Sequence, residues 1–559
     1  MIGSPAAPLA RFLHWTAAAL LPYAVVVTRR HLDFVYLAQL ERYNSSRLWG
    51  WITRHWRMVL DPHAAMVQMA VLAAGVGIAL FELPHIGLYA IWVVAGLWLA
   101  ARRSSLQVSQ RLQFTSRAVR LTAGTFVLAA IILLGVMVLG VVMLARQTTV
   151  ARTFAVEIGV VAALAVASVL AAGTVCLANL ILSPLEHAIN HRFFGEARRR
   201  MQRYPGQVVG ITGSYGKTTT KFITAALLAR RYPVLKTPDG VNTTMGITRV
   251  VREDLRDDHR FFVVEVAAYG PGEIREVCDI LRPALGILTA VGVQHLERFG
   301  SPERIAEAKY ELIASLPPDG LAIMNADDPG CLRLADRARH EGRRTLLYGI
   351  GEDERSLDVR GKNVKLSSKG SAFCVETQVG TALFETRLLG SWNIANILGA
   401  TALALECGVP LGEIREGVSA LTPPPKRLEV REEGGVVKLI DVANANPLGA
   451  KMALEVLGQF EGGAKILITP GLVELGRIEA EENRRLGRAA AAVCDYVVLV
   501  GPRQTLPLRE GLHESGFSDS RILVARHSDE VADRLKEIVR PGDILLYENR
   551  LPDTYLELS

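Results

Sequence analysis

The chain has 559 residues, half of them hydrophobic, and a formal net charge of +7. That is too long for one core, so three domains are expected. The positive balance would suit a nucleic-acid binder, but no basic helix interleaved with aromatics occurs, and the arginines crowd the edges of apolar runs, as they do in membrane proteins. The six cysteines (Cys176, Cys278, Cys331, Cys374, Cys407, Cys494) contain no C-x-x-C pair, which argues for reduced thiols and against a disulfide frame or a zinc site.

Residues 1–203 predict a membrane helical domain. Runs at 64–81, 85–101, 121–145 and 154–182 approach or exceed the length needed to span a bilayer of about 30 Å. The first two, joined by Glu82-Leu83-Pro84, read as a helical hairpin. An earlier run, 12–27, contains Pro22 and reads as a fifth span, a re-entrant piece or an interfacial helix; no convincing small-residue cleavage site comes after it, so it is not taken as a cleaved signal. Arginine counting sets the orientation. Arg29, Arg30, Arg42, Arg47, Arg54 and Arg57 follow the first run, Arg102, Arg103, Arg111, Arg117 and Arg120 lie between the second and third spans, and Arg192, Arg198, Arg199, Arg200 and Arg203 follow the last. The opposite loops carry only Arg146 and Arg152. The expectation is a multi-pass protein of the cytoplasmic membrane with everything beyond about residue 190 in the cytoplasm. The alternative is that these runs are core helices of a large soluble protein.

After the last span the composition changes, and the first lysine of the chain is Lys217. Gln207–Thr212 (QVVGIT) predicts a buried strand and Lys217–Arg230 a helix, with GITGSYGKTTTK across the junction. Glycines at 210, 213 and 216 allow a tight turn whose N–H groups face an anion, and the helix N-terminus adds partial positive charge. Lys217 would reach the β- and γ-phosphates and Thr218 would offer its hydroxyl to Mg²⁺. An ABC exporter would need an LSGGQ-like signature downstream and an acidic pair ending an apolar strand; the chain has no such signature, and FFVVE (Phe261–Glu265) ends in one carboxylate.

Taken with the motifs downstream of it, this loop resembles that of the Mur ligase family, G-x-x-G-x-x-G-K-[ST]-[ST]. EVAAYGPGEI (Glu265–Ile274), ILTAVGVQHLERFGSPERIAEAKYEL (Ile287–Leu312), MNADDP (Met324–Pro329), SWNIANILGA (Ser391–Ala400), PPPKRLEV (Pro423–Val430) and DVANANP (Asp441–Pro447) come in family order and resemble the branch that adds D-alanyl-D-alanine. The likeness covers residues 205–559. It implies a P-loop central domain (204–425) and a Rossmann-like C-terminal domain (426–559), hence two α/β domains behind the membrane helices. It also implies an ATP-dependent amide ligase that phosphorylates a carboxylate to an acyl phosphate, which an amine then attacks, in peptidoglycan precursor synthesis.

By the same resemblance Gly213, Ser214, Tyr215, Gly216, Lys217, Thr218 and Thr219 would hold the nucleotide phosphates. Thr218, Glu265, His295 and Lys309 would hold magnesium, Lys309 after the carbamylation seen in some members, and Lys217, His295 and Lys309 would carry the chemistry. Asn325, Asn393 and Asn396 would sit at the adenine and adjoining pocket, although Trp392 stands where the family usually has histidine. Arg427 would reach the phosphates when the domains close, and Asp441 would contact nucleotide across that interface.

Beyond Arg427, short apolar strands (436–440, 465–469, 496–500, 522–525, 544–547) alternate with helical patterns, which predicts a doubly wound domain. In the family this domain brings in the amine. TPGLVELG (Thr469–Gly476) and ENRLPDTY (Glu548–Tyr555), at strand ends, both depart from the D-alanyl-D-alanine branch. The membrane helices replace the soluble front domain that holds the UDP-sugar in ordinary members, so the carboxylate acceptor is expected to be a UDP-linked or a lipid-linked peptide. A poly-γ-glutamate synthetase-like ligase is the second enzyme reading, and an inactive membrane scaffold the reading from another class; wall-synthesis proteins would be neighbours of either membrane form.

Overall fold

The computed structural model describes residues 6–80, 86–101, 112–144, 164, 166–351, 356–443 and 446–551. They fall into two compact units, one ending at Ile189 and one from Asn190 to Leu551.

The first unit is helical. Phe34, Val35, Leu37, Leu48, Trp51, Ile52, Leu121 and Val175 form a core in it. The 12–27 run is not a separate piece: it lies within one helix, Ala6–Leu40, which continues through Pro22. Helices Pro62–Leu80, Ile86–Ala101 and Ser116–Leu144 cover the next three apolar runs. The Glu82-Leu83-Pro84 link, the arginines 102, 103, 111, 146 and 152, and the first part of the 154–182 run lie outside the described residues. Among the described residues two helices are long and apolar enough to cross a membrane, against four expected: Ser116–Gly135, mean hydropathy 2.0, and Ala171–Arg203, mean hydropathy 1.3. Both turn large apolar side chains outward, Val127, Ile131 and Leu134 on one and Leu177, Leu180 and Ile181 on the other. Near the arginine-bearing ends, Arg120 grips the buried carboxylate of Glu186 with Nε at 2.6 Å and Nη2 at 2.9 Å, and Arg117 stacks 4.2 Å from the Tyr43 ring centre.

The second unit contains two sheets. The first is built from β1 (Gln207–Thr212), β2 (Val234–Lys236), β3 (Phe261–Glu265), β4 (Leu285–Leu288), β5 (Leu321–Asn325), β6 (Arg344–Ile350), β7 (Val359–Ser367), β8 (Gly370–Thr377) and β9 (Gly380–Thr386), in the order β2-β3-β1-β4-β5-β6-β7-β8-β9. It is parallel through β7 and then turns into an antiparallel meander. Helices bury both faces, which is why β1 and β3 are apolar at nearly every position rather than alternating. Val209, Ile211, Phe261 and Val263 pack on one side with Leu227 and Ile394, and Val208, Phe262 and Val264 on the other with Ile247 and Ile274.

The second sheet holds β10 (Glu429–Glu433), β11 (Val436–Asp441), β12 (Lys465–Thr469), β13 (Tyr496–Val500), β14 (Ile522–Ala525) and β15 (Ile544–Glu548), in the order β10-β11-β15-β12-β13-β14. Only β10, at its edge, runs antiparallel. Ligands of open parallel sheets gather at the carboxyl ends of the strands. In both sheets those ends lead to one cleft.

Candidate active site between two sheets

A cavity of about 370 Å³ opens between the central and C-terminal sheets. Ser214 to Thr219 form one wall, Thr289, Asn325, Asp327 and Asp328 another, and Arg427, Asp441, Asn446, Leu448, Met452 and Glu548 close it from the C-terminal side.

The loop leaving β1 is tight. Gly216 has φ +81°, in the left-handed region, and a Cβ there would stand 2.6 Å from Asn396 Oδ1. Any larger residue would therefore meet both backbone strain and a collision. Lys217 starts the helix Lys217–Leu228 and its ammonium donates to the carbonyls of Gly213 (2.7 Å) and Ser214 (2.9 Å). Burial pushes it down to about 8, with Glu265 pulling upward and Arg427 pushing further down.

Thr218 donates its hydroxyl to Glu265 Oε2 at 2.8 Å. Asn242 Nδ2 reaches Oε1 of the same carboxylate at 3.1 Å, and Lys221 Nζ lies 3.3 Å from Oε2. Burial acts to raise the Glu265 carboxyl, but Lys221, Lys217 and these hydrogen bonds outweigh it and hold it below its ordinary value. It is thus an anion at neutral pH. Lys221, one turn beyond Lys217, is fully buried. Its spacing of four from Lys217 placed it on the same helix face, the one sign in the chain that it belongs here.

His295 follows β4 at φ +58°, and its Nδ1 meets the carboxylate of Glu474, itself at φ +65° in TPGLVELG. Arg298 Nη2 donates to the other oxygen at 3.1 Å, and the Tyr269 ring lies 4.7 Å from the imidazole. Burial pushes the His295 ring below its ordinary value; Glu474 opposes this, while the charges of Lys217 and Lys309 add to it. The ring is neutral at pH 7, the state that can ligate a metal. Two non-glycine residues in left-handed conformations meet here, a geometry that persists only where surroundings over-determine it. Glu474→Ala should remove this clasp between the two sheets and cost about 1–3 kcal/mol. Thermal unfolding and limited proteolysis between the sheets would read it; an unchanged profile would show the clasp to be energetically idle.

Lys309 sits in the helix Pro302–Ala314, 3% exposed, with Nζ 5.8 Å from the Phe299 ring centre. Burial, then the charge of Lys217, pushes its amine down to about 7, against the pull of Glu273, Glu311 and Glu265.

The asparagines line or border the cavity but spend their amides on the protein. Asn325 Nδ2 donates to Thr289 O at 2.9 Å, and its Oδ1 accepts from Asp327 N at 3.0 Å. Asn393 Nδ2 donates to Leu389 O at 2.8 Å. Asn396 Oδ1 accepts from Thr220 at 3.1 Å, tying the helix Ser391–Glu406 to the loop helix. Trp392 lines the same cavity. Arg427 Nη1 points to Ala443 O at 3.5 Å, and Asp441 ends β11 facing the cavity. β4 stops at Leu288, and the next residue, Thr289, donates its hydroxyl to Tyr215 O and its N–H to Thr212 O. Sequence reasoning did not single out Lys221, Thr289, Asp328, Glu474 or Glu548. All five lay within motifs already noted, but none carried a chemical sign of its own there beyond position.

Family comparisons agree with this geometry. A model described as the Mur ligase middle domain matches residues 211–404, and one described as Mur ligase, glutamate ligase domain, matches 426–547. The UDP-N-acetylmuramoyl-tripeptide--D-alanyl-D-alanine ligase of Escherichia coli is 32% identical over 60% of this chain and 73% of its own length, and that of Bacillus subtilis is 29% identical over 63% and 75%. Among solved structures, the MurF ligase of Thermotoga maritima in complex with ADP superposes with TM-score 0.57 at 28% identity, over 64% of this chain and 80% of that one. MurF of Acinetobacter baumannii gives 0.58 at 25% identity, over 66% and 78%. By its two matched domains and the share of these relatives that it covers, the chain belongs to the Mur ligase family of ATP-dependent acid–amino-acid ligases.

Proposed function

We propose that the chain is a membrane-anchored ligase that joins D-alanyl-D-alanine, or a related amine, to a peptidyl carboxylate of a peptidoglycan precursor through an acyl phosphate. The observation that carries this reading is one cleft holding Lys217 and Thr218 from the central domain and Arg427 and Asp441 from the C-terminal domain. In this reading the membrane helical domain runs to about residue 203, the ATP-binding domain covers 204–425 and the amine-bringing domain 426–559. The catalytic domains face the cytoplasm from the inner membrane.

The residues present fit magnesium. Thr218 and Glu265 place a hydroxyl and an anionic carboxylate 2.8 Å apart beside the loop, the hard oxygen set such an ion takes. His295, neutral and part-buried, and Lys309, a near-neutral amine open to carbamylation, would supply a second set. When bound, magnesium neutralises phosphate charge and polarises the transferred phosphoryl group. The loop N–H groups and Lys217 orient the β- and γ-phosphates, and Arg427 adds a positive charge from the opposite wall. Asn325, Asn393 and Asn396 shape the neighbouring wall. Holding the carboxylate in line with the γ-phosphate, and then the amine against the acyl carbon, is the positional work of the closed cleft.

The outward apolar faces of Ser116–Leu144 and Ala171–Arg203 favour anchoring, and with it an acceptor presented at the inner leaflet. Phosphate release by the detergent-purified full chain with ATP and magnesium tests the ligase. It should require D-alanyl-D-alanine together with UDP-MurNAc-tripeptide or its lipid-linked form. Release independent of any amine would remove the ligase reading, and equal use of both acceptors would remove the preference for lipid. Sedimentation with membranes after a high-salt wash tests the anchor; release into the supernatant would refute it.

A further inference from the structure

Between the long apolar helices of the first unit stand two short ones, Ser45–Arg54 and Trp56–Leu60, of 10 and 5 residues. A bilayer span needs about 20 predominantly apolar residues. These helices are too short for that, and Arg47, Arg54 and Arg57 interrupt them. They act as one element. His55 N donates to Trp51 O at 3.0 Å and Val59 N to His55 O at 3.1 Å, so helical bonds carry across the break. One side of the element is fixed. Leu48, Trp51, Ile52 and Val59 join the core of the unit with Phe34 and Val175. Asn179 Nδ2 donates to Tyr43 O and to Ser45 Oγ, both at 2.9 Å, and Arg30 donates to Val59 O. Both ends of the element are therefore tethered to the neighbouring helices.

The other side is turned outward. Trp49 is 55% exposed, Trp56 52% and Leu60 39%, spaced by seven and four as one helical face requires. Arg54 and Arg57 are exposed beside them, and the Arg57 guanidinium lies 5.4 Å from the Trp56 ring centre. From Arg42 to Leu60 the chain carries four arginines and no carboxylate. Two outward indoles amid this charge ask for a partner that is apolar on one side and anionic on the other. The boundary between lipid headgroups and acyl chains is such a partner, and tryptophan gathers there because its ring is apolar with one polar N–H. The neighbouring chain agrees. The element follows the helix Ala6–Leu40, whose apolar run gives way to Arg29 and Arg30. It leads through Asp61 into Pro62–Leu80, where Met66 and Met69 are 67% and 70% exposed. It thus stands where apolar walls meet an arginine-rich end, and its cations complement lipid phosphate.

We infer that Ser45–Leu60 lies in the plane of the membrane interface and is a docking surface for anionic phospholipid headgroups. Trp49 and Trp56 sit at the boundary of headgroup and acyl chain, and Arg54 and Arg57 take the phosphates. This rests on the membrane-anchored reading and adds to it a lipid-selective surface. The test uses the full chain in vesicles of phosphatidylcholine and phosphatidylglycerol. The tryptophan fluorescence lost in a Trp49→Phe, Trp56→Phe variant isolates the signal of these two rings. That signal should be quenched by lipids brominated near the headgroup end of the chain and protected from aqueous iodide. In detergent, calorimetric titration with short-chain phosphatidylglycerol should weaken about fivefold for each of Arg54→Gln and Arg57→Gln. Binding of short-chain phosphatidylcholine should not change, and Arg57→Lys, which keeps the charge, should retain most of the affinity. Circular dichroism establishes that each variant is folded.

Iodide quenching without bromine quenching, in a chain that stays with membranes after a high-salt wash, would place the two rings in water and remove this inference alone. Protection from both quenchers would also overturn it, assigning the face to a protein partner; a lower mass of the double phenylalanine variant in detergent would identify that partner as a second copy. Unchanged phosphatidylglycerol binding in both arginine variants would remove the headgroup contact and the inference with it. A chain that washes off membranes would remove the anchored reading, and this inference with it.

Discussion

Lys217→Ala should abolish measurable turnover, lowering kcat by about 10³-fold or more while leaving the far-ultraviolet circular dichroism unchanged. Preorganised positive charge aimed at developing negative charge is commonly the largest single contribution to such a reaction, and losing even one neutral donor costs about 10²–10³. Lys217 supplies a whole charge at the start of the loop helix, 8% exposed, where water screens it little. Its removal should not unfold the domain. The ammonium bonds only to carbonyls of its own loop, and its affinity for a proton is already depressed to about 8 by burial. Arginine should not rescue it, because the planar guanidinium does not fit a space shaped for an ammonium. Purified variant, ATP and both substrates in a phosphate-release assay decide the matter. Retained turnover would favour a scaffold that keeps the fold without the reaction.

Lys309→Ala should lower kcat by about 10²-fold, the usual cost of losing a positioned charged group. Propionate or a similar short carboxylate should restore part of it. The reason is the amine's position near 7. A neutral amine can attack carbon dioxide, forming an N–C bond and releasing a proton, which converts a buried cation into a carboxylate able to face magnesium beside His295. Activity should therefore rise from pH 6 to 8 and with added bicarbonate. Failure of rescue together with indifference to bicarbonate would leave Lys309 as a plain cation. The same group shapes stability. Its folded value lies below the unfolded one near 10.5, so its contribution is present above about 10.5 and is lost as pH falls towards 7. Lys309→Met should flatten that part of the pH–stability curve.

Much of the second unit was legible in the chain because its signals are local. A buried parallel strand is a continuous apolar run, and the strands at 465–469, 496–500 and 522–525 stand where alternation placed them, while 436–440 and 544–547 each extend by one residue. The phosphate loop was legible for the same reason: glycines and a lysine at fixed short spacing turn β1 into a helix. The antiparallel meander β7–β9 was not foreseen. Its strands are half-exposed, with turns at Gly370 and Gly380, and carry little apolar periodicity.

What the sequence determined by itself, then, is the order of the elements, the chemistry of the loop, and the ends of strands where Glu265 and Asp441 stand. Tertiary structure alone decided who meets whom. Glu474 reaches His295 across 179 positions and Asn396 reaches Thr220 across 176. Asp441 and Glu548 become neighbours because β15 inserts between β11 and β12. Strand order in a parallel sheet is settled by pairings distant in the chain, which no local period encodes. The asparagines show the consequence: their positions were foreseen, but only the folded contacts reveal that their amides hold the loop and its neighbouring helix in place.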